Sequence, residues 1–235
     1  MMATLLAAAP GCIPLSPTAA MALEVFKLMT PALQALMGNM KGVDAPNQAK
    51  LAELEANKDW DGMVAFAQKN LKVDPSSPDW YMVEGYALTQ QAKYEQAAFS
   101  FQKVVQYSPD QIDGYNLLAE SYRVMGKPEL AIRTLDRALR VNQESATTYF
   151  LIGQCFNDLK EPDRAIQYYE LALRRDGRMV DAWVGLGVAY ARLGRTAEFD
   201  EVEKTLRALA PERADQLARL RPRTFGSGAA ASNPR

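Results

Sequence analysis

The sequence predicts an all-α protein built from consecutive helix–turn–helix units. From about residue 44 onward, similar residues return every 34 positions, as Pro75 and Pro109 do. Apolar residues also recur at helical spacing within each period. Glycine and proline fall between these segments, where one helix would end and the next would begin.

The composition supports a folded protein and argues against several kinds of function. Hydrophobic residues make up 48% of the 235 residues, which is enough for a packed core. The net charge of -1 gives no overall field that would attract nucleic acid. There is no histidine, and the two cysteines, Cys12 and Cys155, form no ligand cluster. We therefore expect no metal site, no cofactor and no His-dependent catalysis.

Residues 1–23 form an uncharged, apolar leader. Its longest apolar run, residues 5–9, is too short to cross a bilayer. Residues 20–22, Ala-Met-Ala, fit the small-x-small pattern of signal cleavage, and Gly11-Cys12 is similar to a lipoprotein processing site, but the basic residue that begins a signal is absent. Two interpretations stay open. The leader is either the apolar start of a cytoplasmic protein or the remnant of a signal for export and for membrane or lipid anchoring.

Residues 24–43 predict an amphipathic helix. Phe26, Met29, Leu33 and Met40 share one face at helical spacing. We expect this helix to cover the open end of the first repeated unit, because the end of a helical stack exposes apolar surface. The alternative is a helix that docks on a partner, since methionine-rich faces adapt to partner surfaces.

Three series of residues show the step of 34 positions. The first marks the turns between units and comprises Pro75, Pro109, Gln143, Gly177 and Pro211. The second comprises Leu51, Gly85, Ala119, Gly153 and Gly187, and the third Met63, Ala97, Ala131, Ala165 and Phe199. Small central members allow two antiparallel helices to approach closely. Gly126 and Gly194 are suited to end the first helix of a unit, and Pro128 and Pro162 to begin the second.

The detailed pattern resembles the tetratricopeptide repeat family. Residues 183–190 have the spacing W-x2-L-G-x2-Y, and residues 97–101 supply the small-then-aromatic pair of a second helix. The resemblance covers residues 44–213 and implies a right-handed α-solenoid of five helix–turn–helix units, which are 44–77, 78–111, 112–145, 146–179 and 180–213. The last unit departs from the family pattern with Phe199 and Glu203, where alanine and an aromatic residue are usual, so we expect its packing to differ.

The chain is predicted to end in a cap and a tail. Residues 212–221 are similar to the polar helix that closes such repeat arrays, and we assign the cap to residues 214–221, with Leu217 and Leu220 facing inward. Residues 222–235 contain too little apolar surface to pack and are expected to be disordered.

The resemblance also implies a binding surface. In the family, the first helices of the units line a concave groove, and ligands contact the second, fifth, ninth, twelfth and thirteenth positions of each unit. The candidate partner-binding residues at these positions are Asp79, Met82, Tyr86, Thr89, Gln90, Asp113, Asn116, Glu120, Arg123, Thr147, Phe150, Gln154, Asn157, Asp181, Val184, Val188 and Arg192. Amides, hydroxyls and aromatic rings together suit a peptide or helix ligand.

We therefore expect a protein–protein interaction scaffold or adaptor that binds a peptide or helix of a partner in this groove. Nucleic acid and small-molecule substrates are not expected, and the sequence leaves the oligomeric state open. The alternative is a structural or assembly subunit of a bacterial envelope complex, of the pilus or outer-membrane biogenesis type, anchored through its N-terminal segment.

Catalysis is a third hypothesis, which the sequence disfavours. The carboxylates available in the groove are those of Asp113, Glu120 and Asp181. They lie on separate units with Arg123 and Arg192 nearby, so their spacing gives no support for an acid–base pair. We predict that the protein is not an enzyme.

Overall fold

The computed structural model describes residues 43–222. Every element of regular secondary structure within these residues is an α-helix. In chain order they are α1 (Ala45–Ala56), α2 (Trp60–Leu71), α3 (Pro78–Gln90), α4 (Tyr94–Tyr107), α5 (Ile112–Val124), α6 (Pro128–Val141), α7 (Ala146–Asp158), α8 (Pro162–Arg175), α9 (Val180–Leu193), α10 (Thr196–Leu209) and α11 (Pro211–Ala218). The expectations for the leader, for nearly all of the amphipathic helix and for the tail beyond residue 222 lie outside the described residues.

The chain divides into two compact units, one up to Glu53 and one from Leu54 onward. The described part of the first unit is the beginning of α1. There the backbone N–H of Asn47 donates to Asp44 Oδ1 at 3.0 Å, and the side-chain amide of Gln48 donates to the Val43 carbonyl at 2.9 Å. The Asp44 side chain thus satisfies a free N–H at the start of α1, as an N-cap does.

The second unit is a helical solenoid. Each helix from α2 to α11 packs on the next one along the chain, and short turns make neighbouring helices antiparallel. In addition, α5 packs directly on α7, α7 on α9, and α9 on α11. The odd-numbered helices therefore form one face of the stack, with the even-numbered helices behind them. This arrangement confirms the predicted all-α repeat fold.

Each turn within a helix pair has a residue in the left-handed region of backbone space. These residues recur every 34 positions and are Lys58, Ala92, Gly126, Lys160 and Gly194. Gly126 and Gly194 end α5 and α9 as predicted. Lys58, Ala92 and Lys160 adopt the same conformation although a Cβ atom makes it unfavourable. The repeat geometry, and not the local residue, thus determines the turn.

Ala92 provides a test of this conformational strain. We expect Ala92→Gly to raise the free energy of unfolding by about 0.5–1 kcal/mol, because the strain it relieves exceeds the added entropy of the unfolded chain. The reverse change at the equivalent turn, Gly126→Ala, should lower it by a similar amount, since a Cβ there meets nothing within 4 Å and only the backbone is strained. Urea denaturation measures both. A change of the same sign in the two variants would contradict the argument.

Small residues allow the two helices of a pair to approach closely. A Cβ atom placed on Gly85 would lie 2.5 Å from Phe101 Cε1, and one on Gly153 would lie 2.7 Å from Tyr169 Cδ1, which is closer than atoms can pack. In the pair α5–α6 the equivalent residues are Ala119 and Leu135, both buried. A larger residue on the first helix thus coincides with a smaller one on the second.

In the last pair, α9 and α10, the large side chain that packs on the small residue comes from a third helix. Glu203 occupies the place of the aromatic residue on α10, but its carboxylate pairs with Arg207 at 2.8 Å and with Arg221. A Cβ on Gly187 would instead lie 2.5 Å from Leu217 Cδ2 of α11. The closing helix therefore supplies the large side chain that α10 lacks.

The closing helix differs from its prediction in extent. It begins at Pro211 and ends at Ala218, whereas we assigned it to residues 214–221. Leu217 is buried as expected, with 2% of its surface exposed. The prediction for Leu220 is wrong, because this residue follows the end of the helix and is 53% exposed.

The close approach at Gly153 can be tested with a double-mutant cycle. We expect Gly153→Ala to lower the free energy of unfolding by about 1–3 kcal/mol, because the added methyl group overlaps the Tyr169 ring. In a Tyr169→Leu background, which copies Ala119 and Leu135, the same change should have a much smaller effect. Urea denaturation gives both values.

The control for this cycle is Gly177→Ala. A Cβ at Gly177 would meet only the Leu173 carbonyl at 3.6 Å, an ordinary contact. We therefore expect little effect on stability. If Gly153→Ala is equally costly with tyrosine and with leucine at position 169, ring overlap is not its cause.

Candidate functional site

The seventeen predicted partner-binding residues all lie on the odd-numbered helices α3, α5, α7 and α9, but they differ in accessibility. Seven are buried: Met82, Tyr86, Thr89, Asn116, Glu120, Arg123 and Phe150. Seven are partly buried: Asp79, Gln90, Gln154, Asn157, Asp181, Val184 and Val188. Three are exposed: Asp113, Thr147 and Arg192. Accessible candidates are thus concentrated on α7 and α9.

The predicted positions on α3 and α5 are mostly enclosed. Residues 82–89 of α3 and residues 114–121 of α5 are each buried without interruption, so these stretches present no open face. Thr89 directs its hydroxyl to the Gly85 carbonyl of its own helix at 2.8 Å. These side chains are not accessible contact surface in this structure.

Tyr86 makes an internal polar contact. Its hydroxyl donates to Glu55 Oε1 at 3.1 Å, and its ring meets Trp60 edge-on with centroids 5.9 Å apart. Burial raises the pKa of Tyr86, and the neighbouring Glu55 carboxylate raises it further. The phenol therefore keeps its proton and remains a hydrogen-bond donor.

An ion triad, buried except at the partly exposed Asp158, connects α5 and α7. Arg123 donates to both carboxylate oxygens of Glu120 at 2.8 Å and to Asp158 Oδ2 at 2.7 Å. The side chains of Glu120 and Arg123 are 0% and 5% exposed. Burial alone would lower the pKa of Arg123, but the two carboxylates outweigh this effect and raise it. The guanidinium thus stays charged and holds the two helices together.

Two further polar contacts link successive odd-numbered helices. Thr148 donates its hydroxyl to Asn116 Oδ1 at 2.9 Å, joining α7 to α5. Arg192 donates to Asn157 Oδ1 at 2.7 Å, joining α9 to α7. Much of the polar chemistry predicted for the groove is therefore used within the protein.

Asp158 was missed by the sequence analysis. It occupies the thirteenth position of its unit, so the family rule on positions would have included it. Thr148 lies outside that rule. The signal available for both was their separation from their partners, Arg123 and Asn116, which is about one repeat.

The ion triad can be tested by removing one member. We expect Arg123→Met to lower the free energy of unfolding by about 3–5 kcal/mol, because Glu120 is left charged and buried. Adding Glu120→Leu should restore a large part of the loss, since two apolar residues then pack together. Thermal or urea unfolding measures both variants. The control is Lys204→Ala, which breaks an exposed 3.7 Å pair with Glu201 and should change stability by less than about 1 kcal/mol.

On the face formed by the odd-numbered helices, the accessible candidates lie mainly on α7 and α9, which pack directly on each other. Val184 and Val188, one helical turn apart on α9, are only partly buried. On α7, Gln154 Oε1 is enclosed and has no hydrogen-bond partner among the described residues. Arg192 is exposed and held in place by Asn157. This region, which we call the inner patch, consists of Gln154, Val184, Val188 and Arg192.

The three carboxylates considered for catalysis are not gathered at one place. Glu120 belongs to the buried triad, and Asp181 pairs with Arg213 at 2.9 Å. Asp113 lies exposed near the start of α5, two repeats from Asp181. Within residues 43–222, no group of three or more acidic or cysteine residues is placed to hold a metal ion.

No helix in the described part of the chain is both long and apolar enough to span a membrane.

Comparison with known proteins agrees with the repeat pattern. Family models described as Tetratricopeptide repeat match residues 80–111, 116–180 and 164–214, which together are more than half of the chain. No curated protein matches the chain.

Many solved structures share the fold. The structure of MamA has a TM-score of 0.58 and 24% sequence identity, covering 71% of this chain and 95% of its own. TTC0263 of Thermus thermophilus, described as a thermophilic TPR protein, has a TM-score of 0.60 and 22% identity, covering 73% and 95%. YrrB, described as a TPR protein with an unusual peptide-binding site, has a TM-score of 0.57 and 22% identity, covering 72% and 88%. At these identities the likeness shows the fold alone.

Proposed function

We propose that this chain, which belongs to the tetratricopeptide repeat family, is an interaction scaffold, because members of the family bind proteins or peptides. A peptide or helix of a partner protein binds the inner patch on α7 and α9. The partner contacts Gln154, Val184, Val188 and Arg192. The buried candidates on α3 and α5 keep the odd-numbered helices in register and do not touch the partner.

The observation that carries this proposal is the partly open apolar surface of Val184 and Val188 on α9, with the exposed Arg192 one helical turn further along the same helix. Val184 and Val188 accept an apolar side chain of the peptide. Arg192 keeps free N–H groups, because only Nη1 is engaged with Asn157, and these donate to carbonyl oxygens of the peptide. A peptide offers both kinds of group together.

The comparisons support a peptide as the ligand class. YrrB is described as having a peptide-binding site. The family is typically non-catalytic, and two of the three candidate catalytic carboxylates here are held in ion pairs. Binding, and not catalysis, is therefore the proposed activity.

The proposal can be tested by site-specific cross-linking. We expect a photoreactive residue at position 188 of the full chain to cross-link one partner from an extract of the native cells. The double variant Val184→Asp/Val188→Asp should then weaken binding of that purified partner at least tenfold, because charge replaces the apolar contact. Isothermal titration calorimetry measures this loss.

The matched control is Val141 on α6, which is 39% exposed on an even-numbered helix. Cross-linking from position 141 should not yield the same partner, and Val141→Asp should leave the affinity unchanged. Substitutions of Tyr86, Asn116 and Phe150 are poor tests, because these residues are buried and their loss would destabilise the fold. Equal loss of binding in the Val141 and α9 variants would refute the inner patch as the site.

A further inference from the structure

A second groove lies on the other side of the last helix pair, between α8 and α10. It has a volume of about 680 Å³, which is in the range of small-ligand and side-chain pockets. Its floor is formed by α9, and its walls are formed by the two even-numbered helices. We call it the outer groove, and its lining includes Glu170, Trp183, Leu186, Glu201, Val202 and Thr205.

Two earlier units have a cation in the equivalent place, whereas in the unit 78–111 the Tyr81 ring stacks on Tyr107. Tyr115 on α5 is covered by Arg137 of α6, with the guanidinium 5.2 Å from the ring centroid. Tyr149 on α7 is covered by Arg175 of α8 at 5.4 Å. In both units a cation from the second helix thus lies over the aromatic residue at the fourth position. Such contacts are favourable, because a guanidinium is attracted to the face of an aromatic ring.

The last unit lacks this cation. Trp183 is the equivalent aromatic residue, one repeat after Tyr149. The positions equivalent to Arg137 and Arg175 are Thr205 and Leu209, and neither carries a charge. Of the cation–aromatic contacts within residues 43–222, none involves the Trp183 ring.

The Trp183 ring is nevertheless held in place. Its indole N–H donates to the Gly177 carbonyl at 2.9 Å. Tyr81 and Tyr115 make the same hydrogen bond to the carbonyls of Pro75 and Pro109, at 3.2 and 3.0 Å. The ring face is therefore positioned before any ligand arrives, and tryptophan binds cations better than tyrosine does.

The charge of the lining fits a cationic ligand. Three carboxylates line the groove, Glu170 on α8 and Glu198 and Glu201 on α10. The lining contains one cation, Arg174. Arg174 lies 4.0 Å from Glu170, and Arg195 outside the groove pairs with Glu198. Glu201 makes a pair at 3.7 Å with Lys204, which lines the opposite flank of α10. These pairs are exposed and weak, so an incoming cation can compete for the carboxylates.

We propose that the outer groove binds an arginine side chain of a partner protein. Its guanidinium lies over the Trp183 ring and pairs with Glu170 and Glu201, while its aliphatic stem contacts Leu186 and Val202. The partner thereby supplies the cation that Arg137 and Arg175 supply in the preceding units. This site lies on the opposite face of α9 from the inner patch and is independent of it.

The probes are two synthetic nonapeptides with capped ends, each with four leucine, serine or glycine residues on either side of one central residue. One carries arginine at the centre, and the other carries citrulline, which has nearly the same shape without the charge. We expect the arginine peptide to shift the indole N–H signal of Trp183 in nitrogen-15 NMR spectra of the full chain. It should also bind at least tenfold more tightly than the citrulline peptide. The indole signals of Trp60 and Trp80 serve as internal references.

Two variants locate the site. Thr205→Arg introduces the residue that α6 carries at the equivalent position, so we expect the fold to tolerate it and binding of the arginine peptide to be lost. Thr147→Arg makes the same substitution on the exposed inner face of α7 and should leave this binding unchanged. Its effect on the partner of the inner patch tests the other proposal separately.

Three outcomes would overturn the assignment. The first is equal affinity for the arginine and citrulline peptides, and the second is a shift of the Trp60 or Trp80 signal in place of that of Trp183. The third is full binding by a folded Thr205→Arg variant.

Discussion

The contact between a small residue of one helix and a large side chain of the next determines how closely the helices pack. Phe101 packs against Gly85. Tyr169 of α8 packs against both Gly153 of α7 and Gly185 of α9, so that one ring contacts both neighbouring helices. Since the pairs α3–α4, α5–α6 and α7–α8 use the same contact at the same step of 34 residues, an insertion within one of their helices would displace it. This constraint explains why the period holds without interruption over these three pairs.

The polar contacts between odd-numbered helices act on a different property, the register of the stack. A buried ion pair adds little net stability compared with apolar residues of the same size. Stacking in a shifted register would, however, separate Arg123 of α5 from Asp158 of α7, and Thr148 of α7 from Asn116 of α5. The loss of these two polar contacts makes the wrong register unfavourable. The apolar core thus supplies cohesion, whereas the triad selects one alignment.

The sequence predicted the helix pairs well because the period and the turn residues are local signals. It could not reveal that Ala92 and Lys160 take up the conformation of Gly126, since the geometry of the pair imposes it. Nor could it show that Leu217 replaces the aromatic residue missing at Glu203, because that contact joins the last unit to the closing helix, which lies outside the repeat pattern. For the site, the rule on positions selects residues of the odd-numbered helices, and their role in binding stays a prediction. The rule could not reveal how many of them are buried, because burial depends on contacts with α7 such as those of Asn116 and Arg123. The envelope-subunit alternative rests on the N-terminal segment and stays a hypothesis.

The last helix pair shows how a repeat protein can gain a binding surface without changing its fold. The Trp183 side chain is anchored to the Gly177 carbonyl by the same hydrogen bond that anchors the Tyr115 side chain to the Pro109 carbonyl, so the position of its ring is already determined. What differs is the second helix, where Thr205 stands in place of the arginine that covers Tyr115 in the earlier unit. Removing one covering side chain leaves every packing contact of the repeat intact and opens a rigid aromatic surface. Positions whose side chains cover an aromatic ring without taking part in helix packing are therefore those where such a protein can vary its partners most freely.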